Sequence, residues 1–426
     1  MKQLSGLLFL FICMTCSGQQ INYNFLPVKV NGNYGFVDTA GKVLVRPEYD
    51  FLGCLVEGRA RVNVGGKPDD VGNMEGGGWT FIDSLEQPVS APVYEAVSDF
   101  CGGRARVMKR GLYGFIDKNG QELIPCQFSN ITDFHNGMAQ FEKDGLWGSL
   151  DPDGNMVISP RFDNVYYFNE ERAVVGHPFH KAYINKLGNF VTDSIFFEAK
   201  SFENGLAIVV TGDSIRYGMI DAFGAQVIPC SYGYITSYCQ GLAAVNLNGV
   251  FVAEKNEVSG GSWGFIDKKN HLVIPAEFDN TGVFSEGLCA VKKNGKWGYI
   301  DKGNKLIIPC KYQLAYPFSS GRARIVIKGR VGYIDKTGTM VIKPKFVDAE
   351  DFYEGYAIVK QVVYKKNHKH SVGQDKYGII NIEGQYLFYP EFDAIKRFGK
   401  KIFKVYKGNG WGYYNTKGEC IFQITE

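Results

Sequence analysis

The sequence has little of what usually signals an activity. Across 426 residues the formal charge is +3, too near neutral to give a nucleic acid or an anionic membrane surface an electrostatic hold. Of the ten cysteines, those beyond Cys13 and Cys16 form no C-x-x-C, which removes the commonest zinc and redox signature. P-loop, G-x-S-x-G and H-E-x-x-H motifs are missing. No apolar run beyond the N-terminus approaches the length of a membrane-spanning helix. There is no sustained 3.6-residue apolar stripe either, which excludes helical repeats. We therefore expect no enzymatic activity, no cofactor, no metal, no nucleic-acid partner and no integral membrane segment.

What is present is apolar and aromatic, 45% and 14% of residues, ample for a packed interior. Length alone would suggest two or three globular domains. The N-terminus has its own character. Lys2 is the only early charge, Leu4 to Ile12 is a short apolar run, and Cys16-Ser17-Gly18 offers small residues for cleavage before Gln19. Residues 1–18 thus read as a signal peptide and 19–426 as an exported chain: periplasmic, extracellular or at the cell surface. A lipid anchor would want small residues ahead of its cysteine, whereas Cys16 follows Met14-Thr15 and Cys13 follows Phe11-Ile12.

Internal repetition accounts for the length. An aromatic-Gly pair recurs, with substitutions, from starts at Tyr34, Trp79, Tyr113, Trp147, Lys181, Tyr217, Trp263, Trp297, Val331, Tyr377 and Trp411. Trp263, Trp297 and Val331 are spaced by 34 residues, and three longer gaps mark insertions near 65–78, 247–261 and 361–376. Within a unit the first strand is aromatic-Gly-aromatic-Ile-Asp, as in Trp263 to Asp267. Glycine between two rings lets a neighbouring backbone or ring approach closely. Asp-x-x-Gly follows, as in Asp117 to Gly120, and reads as a hairpin turn capped by its own Asp. Asn270 and Asn304 replace the glycine in two units. The second strand is short (Leu306 to Ile308) and stops at a proline that recurs in nine units, from Pro47 to Pro390; proline at a fixed interior slot suits a strand end or edge and would break a helix. An aromatic-Asp pair comes next (Tyr49-Asp50, Phe278-Asp279), then Phe-x-x-Gly, then a third strand with alanine at one slot, as in Arg322-Ala323-Arg324-Ile325. A small residue there marks close layer packing.

No single unit of this kind buries its own apolar face, so neighbours must stack. The expected fold is all-β, an array of about eleven three-stranded units forming an open twisted β solenoid. A β-propeller, or two in succession, is the alternative, since eleven units exceed the usual blade number. The incomplete ends, Val28 to Asn33 and the stop at Ile424, would cap an open array or join to complete one blade.

The run K/N-x-W/Y-G-F/Y-I-D followed by G-x-x-V-I-x-P resembles the WG (KWG) repeat family of bacterial proteins. Lys296 to Asp301, Trp263 to Asp267, Tyr113 to Asp117, Trp147-Gly148 and Trp411-Gly412 carry the resemblance. Thr80 and Ala182 depart from it at the glycine, Lys181 and Val331 at the aromatic. The resemblance implies an exported or effector-associated β-repeat protein of the cell envelope, with no shared catalytic activity. The hairpins also look like cell-wall-binding repeats, whose aromatics form ligand slots.

Candidate ligand-binding residues follow from these readings. Trp147, Trp263, Trp297 and Trp411 share one slot, either an exposed ladder gripping sugar or peptide, or core, since Tyr, Val and Lys also occupy it. His368 and His370 lie in the basic third insertion, a site for a metal or polyanion or simply a solvated loop tip. Cys126, Cys230 and Cys310 share a slot after Ile-Pro as small fillers, and Cys230 with Cys239 is the disulfide to test first. Insertions at one repeat slot project from one edge, often the binding edge. The expected function is a non-enzymatic scaffold binding a protein or cell-surface glycan through its repeat surface and insertions, or else an envelope spacer without a specific ligand.

Overall fold

The computed structural model describes residues 21–69, 73–193, 195–212, 215–366 and 371–424. The leader expected over 1–18 and the candidates His368 and His370 lie outside the described residues. Within them the chain is strand and turn, with one three-residue 3-10 turn at Ala253–Lys255. Eleven small antiparallel sheets follow one another, one for each aromatic-Gly start, with a twelfth, two-stranded sheet inside one insertion, and none closes into a barrel. We number the eleven 1 to 11. In sheet 8, Asn280–Ser285, Leu288–Lys293, Lys296–Asp301 and Leu306–Tyr312 are hydrogen-bonded in chain order.

Each sheet straddles the sequence repeat. Its first two strands come from the tail of one repeat and its last two from the head of the next. A complete sheet therefore has four strands where three were expected. The half-repeats at the ends are absorbed by the same offset: Leu26–Val30 pairs with Asn33–Val37 in sheet 1, and Cys420–Ile424 pairs with Gly410–Asn415 in sheet 11. Sheet 1 has three strands and sheet 11 four. The build is an all-β, solenoid-like array, divided into one compact unit with sheets 1 to 5 and a second with sheets 6 to 11.

The glycine of the aromatic-Gly pair has a specific cause. In sheet 8 Trp297 faces Tyr312 and Tyr299 faces Ile308, so the outer strand carries extra residues around Pro309. This bulge leans over the middle of the third strand. A Cβ at Gly298 would lie 2.5 Å from the Ile308 carbonyl oxygen, which no side chain tolerates. A Cβ at Gly35, Gly114, Gly148, Gly218, Gly264, Gly332 or Gly378 would meet the equivalent oxygen of its own sheet at 2.4, 2.5, 2.4, 2.5, 2.6, 2.6 and 2.6 Å. The outer strand does not stop at proline as expected. It runs through to the next aromatic, because an edge strand at a bulge has no use for the missing amide. Proline and bulge also blunt that edge against pairing with another chain.

Where the slot holds a side chain, the outer strand is reduced to isolated bridges. Sheet 2, with Thr80, has three strands and the bridges Trp79↔Tyr94 and Ile82↔Pro88; Thr80 Oγ1 donates to the Ser90 carbonyl at 2.9 Å. Sheet 5, with Ala182, has two strands and the bridge Ile184↔Phe190.

Strand alternation then builds the core between sheets. Tyr299, Ala290 and Ile308 pack against Phe318, Ala323 and Ile325 of sheet 9, while Ile300, Cys289 and Val291 face Trp263 and Phe265 of sheet 7. In five sheets the second aromatic of the motif thus meets the Phe-x-x-Gly ring of the following sheet. Phe81–Phe100, Phe115–Phe134, Phe265–Phe284, Tyr299–Phe318 and Tyr333–Phe352 have centroids 4.8, 4.8, 5.1, 5.0 and 4.7 Å apart. Such pairs contribute about 0.5–1.5 kcal/mol each beyond area burial. Alanine at its fixed slot (Ala105, Ala139, Ala323, Ala357) lies in the same clusters, where a larger residue would hold the rings apart.

The turns close as read. Asp301 Oδ1 accepts the amides of Gly303 and Lys305, both at 2.9 Å, and Asn304 takes the left-handed position at φ 63. The aromatic-Asp pair, noted in the sequence without a cause, acquires one. Asp279 Oδ2 accepts the amide of Gly295 at 2.8 Å, and Asp393 Oδ2 that of Gly408 at 2.7 Å, capping the hairpin turn of their own sheet.

Candidate functional site

The candidate tryptophans are core or half-buried. Trp263 is 7% exposed within the sheet 7–8 cluster. Trp147 packs against the sheet 4–5 cluster and Trp297 against the sheet 8–9 cluster. Trp411, on the last sheet, stands edge-on to Tyr413 at 5.6 Å, with Lys404 Nζ 3.9 Å from its ring centroid. They form no exposed ladder. The ladder that exists is the buried one made by the second aromatic of the motif.

All three insertions extend the hairpin between the second and third strands, so they emerge at the same end of their sheets. They are built in two ways. In sheets 2 and 7 a fully buried asparagine holds the launch point. Asn63 Oδ1 accepts the Gly66 amide at 3.0 Å and its Nδ2 donates to the Gly76 carbonyl at 3.3 Å. Asn246 repeats this with Gly249 at 2.8 Å and Gly260 at 3.2 Å. Gly77 and Gly261 both sit at φ 65, where a Cβ would strike the asparagine oxygen at 2.5 and 2.3 Å. Sequence reasoning missed this clamp, although an asparagine three residues before a glycine and a Gly-Gly pair shortly before tryptophan occur in both insertions. The sheet 7 insertion does not project. Its hairpin, Val250–Val252 with Glu257–Ser259, returns to the array, Phe251 lying 5.4 Å from Tyr234 and Val258 joining the core.

Sheet 10 is different. Tyr356–Lys366 and Ser371–Asn381 form an unbroken ladder from Tyr356↔Asn381 to Lys366↔Ser371. The base is pinned by Lys360 to Asp375 at 2.6 Å, by Lys376 to Asp393, and by Tyr386 Oη donating to Gln361 Oε1 at 3.0 Å. Above it Val363 and Tyr364 are 37% and 67% exposed. On the outer strand of the same sheet Tyr389 stacks on Tyr386 at 4.7 Å and is 71% exposed. These rings give sheet 10 an exposed aromatic surface of its own.

Charged groups elsewhere serve as ties. The residue after the alanine slot reaches a carboxylate of the next sheet: Arg61 to Asp99 at 3.0 Å, Arg106 to Asp133 at 3.3 Å, Arg324 to Asp351 at 2.6 Å. Burial pushes the Asp99 carboxyl above its ordinary range, against the opposing pull of Arg61. Among the described residues no group of three His, Cys, Asp or Glu converges as metal ligands. Cys230 and Cys239 are both free thiols, so the expected disulfide is not formed. Cys230 Sγ lies in the bulge beside Gln226 Nε2 at 3.3 Å, whereas Cys239 turns toward sheet 8 and donates to the Phe284 carbonyl at 3.0 Å. No helix in the described residues is long and apolar enough to cross a membrane.

A profile of the WG-containing repeat matches ten stretches: 34–67, 79–113, 113–147, 147–176, 182–213, 217–251, 263–297, 297–330, 332–361 and 377–411. No curated protein matches. Among solved structures the chain is similar to the extracellular domain of BT3049 from B. thetaiotaomicron, described as a hybrid two component system, at 11% identity and TM-score 0.23, over 95% of this chain and 64% of that one. The extracellular domain of BT4673 from the same organism matches at 10% identity and TM-score 0.23, over 96% and 65%. Kluyveromyces lactis Hsv2 matches at 10% identity and TM-score 0.22, over 66% and 96%. The chain spans less than two-thirds of the first two, and likeness at these scores carries no functional argument. The profile matches, in phase with the sheets, eight of which share one glycine-and-bulge rule, place this chain in the family of WG-containing repeat proteins.

Proposed function

We propose that this protein is an exported, non-enzymatic scaffold that binds a protein or cell-surface glycan through the hairpin end of its sheets, chiefly the long hairpin of sheet 10. The signal-like N-terminus supports export. The observation that carries the binding reading is the paired run of eleven-residue strands, which carries exposed Val363 and Tyr364. An array needs no such extension for its own stability: sheets 8 and 9 close the same hairpin directly after Lys293 and Ile327. Exposed apolar residues on a hairpin that leaves its sheet are the kind of surface partners cover.

The test is capture on glycan and peptide arrays by the full chain and by a variant in which 361–376 is replaced with a two-residue Asn-Gly turn. Loss of capture by the variant, with its melting profile kept, supports the reading. Equal capture by both chains would move the site elsewhere, and capture by neither would favour an envelope spacer.

A further inference from the structure

Neighbouring sheets are also tied by the residue that follows the Phe-x-x-Gly ring. In five sheets it donates to the carbonyl of the equivalent ring residue in the sheet that follows. Cys101 Sγ reaches the Phe134 carbonyl at 3.6 Å, His135 Nδ1 that of Phe168 at 3.0 Å, and Cys239 Sγ that of Phe284 at 3.0 Å. Ser285 Oγ and Ser319 Oγ reach the Phe318 and Phe352 carbonyls, both at 2.6 Å. In sheet 6 the residue at this place is Glu203, and the facing ring residue of sheet 7 is Tyr238. An ionised carboxylate accepts hydrogen bonds and donates none. Two acceptors therefore stand where elsewhere a donor meets an acceptor.

The same joint, inside the second compact unit, lacks two side chains that fill it elsewhere. Ile208 holds the slot of Arg106 and Arg324, and Ser237 that of their partners Asp133 and Asp351. Met219 holds the slot of Phe115 and Tyr299, the rings that meet Phe134 and Phe318. A cavity of about 230 Å³ opens there, and both Glu203 and Tyr238 line it. Leu206, Ile208 and Met219 give it an apolar floor, while Lys200 stands on its exposed rim. Tyr238 is held as a fixed wall, its hydroxyl donating to the Asp267 carbonyl at 2.8 Å. The space is smaller than the roughly 300–1,000 Å³ of sites for drug-sized ligands, so its occupant is a small one.

We infer that this cavity binds a free α-amino acid with an aliphatic side chain. The ligand's ammonium supplies the donors missing between Glu203 and the Tyr238 carbonyl, and its carboxylate takes the Lys200 ammonium. Its side chain covers Leu206, Ile208 and Met219. The pairing of charges selects the class. A simple carboxylate would meet Lys200 but also Glu203, and a simple alkylamine would meet Glu203 but also Lys200. Only a zwitterion turns both contacts into charge-assisted hydrogen bonds, which are about twice as strong as neutral ones.

The experiment uses the full chain with L-leucine, 4-methylpentanoate and 3-methylbutylamine as probes, read by calorimetric titration and thermal shift. Leucine should bind and raise the unfolding midpoint. The acid lacks its ammonium and the amine its carboxylate, and each should bind about tenfold more weakly or worse, the worth of one hydrogen bond to a charged group. Glu203→Ser supplies the hydroxyl that Ser285 and Ser319 use, and should abolish leucine binding while keeping or raising the midpoint of the free protein. Ile208→Arg combined with Ser237→Asp should refill the cavity with the chain's own tie and abolish binding as well. Absence of leucine binding to the parent chain overturns the proposal. So does leucine that binds Glu203→Ser as tightly as the parent, or an acid or amine that binds as tightly as leucine. Should the double variant fail to fold, Glu203→Ser, at an exposed position, decides alone.

Discussion

Sheets 8 and 5 come from the same repeat and end up differently. Sheet 8 keeps Trp297-Gly298-Tyr299 and has four strands; sheet 5 has Lys181-Ala182-Tyr183 and two. A single methyl at the glycine position is incompatible with a bulge whose carbonyl passes 2.5 Å from it. Sheet 2, with Thr80, shows the same loss in a different sequence context. The glycine therefore decides whether a unit has an outer strand, and the rings on either side decide how strongly the sheet is held to its neighbours.

The sharpest way to break this contrast is Gly298→Val. The outer strand Leu306–Tyr312 should detach, exposing Ile308 and Tyr312, at a cost of about 3 kcal/mol or more. Hydrogen exchange should show protection lost across 306–312. Ala182→Gly in sheet 5 should cost no more than about 1 kcal/mol, since no bulge overlies it. An outer strand that stays protected in Gly298→Val would refute the rule.

Next in size is the clamp. Asn246→Ala leaves the Gly249 amide and Gly260 carbonyl without partners and should cost about 1–3 kcal/mol. Proteolytic nicking between 250 and 259 should rise well before global unfolding. Truncating the sheet 10 hairpin, which has no clamp, should change stability by less, and equal losses would mean that the two kinds of insertion are not built differently.

The smallest effect belongs to the last sheet, where the slot of Arg324 holds Lys404. Burial, with Lys396 adding, pulls the Lys404 ammonium down to about 8 from 10.5. Between those values the folded chain holds fewer protons than the unfolded one, so stability should rise as pH increases from about 8 to 10.5. Lys404→Met should flatten that rise and add on the order of 1 kcal/mol at neutral pH. A denaturant midpoint with the same pH slope in both proteins would remove Lys404 as its cause.

Much of this was readable before any coordinates. The 34-residue spacing, the Asp-capped turns and the proline slot are local chemistry, and each appears where the sequence places it. The alanine slot was legible as close packing because a small residue kept at one place has few other uses. The tryptophans stayed open between two readings for a physical reason: a large ring at a half-buried slot looks the same in sequence whether it grips a ligand or seals a core. Asn63 and Asn246 escaped notice because their partners are backbone groups 13 and 14 residues away, which no side-chain pattern reveals.

The sequence alone determined that the chain is a β array, how many repeat units it has, which turns close them, and which two units lack the glycine. Those follow from periodicity and from the conformational limits of Gly, Pro, Asp and Asn, which act within a few residues. Only the tertiary structure decided that sheets straddle repeats, that the second aromatic rather than the tryptophan carries the ladder, and that one insertion folds back while another projects. Each of these depends on what a side chain meets across the gap to the next sheet, and that neighbour lies a full repeat away along the chain.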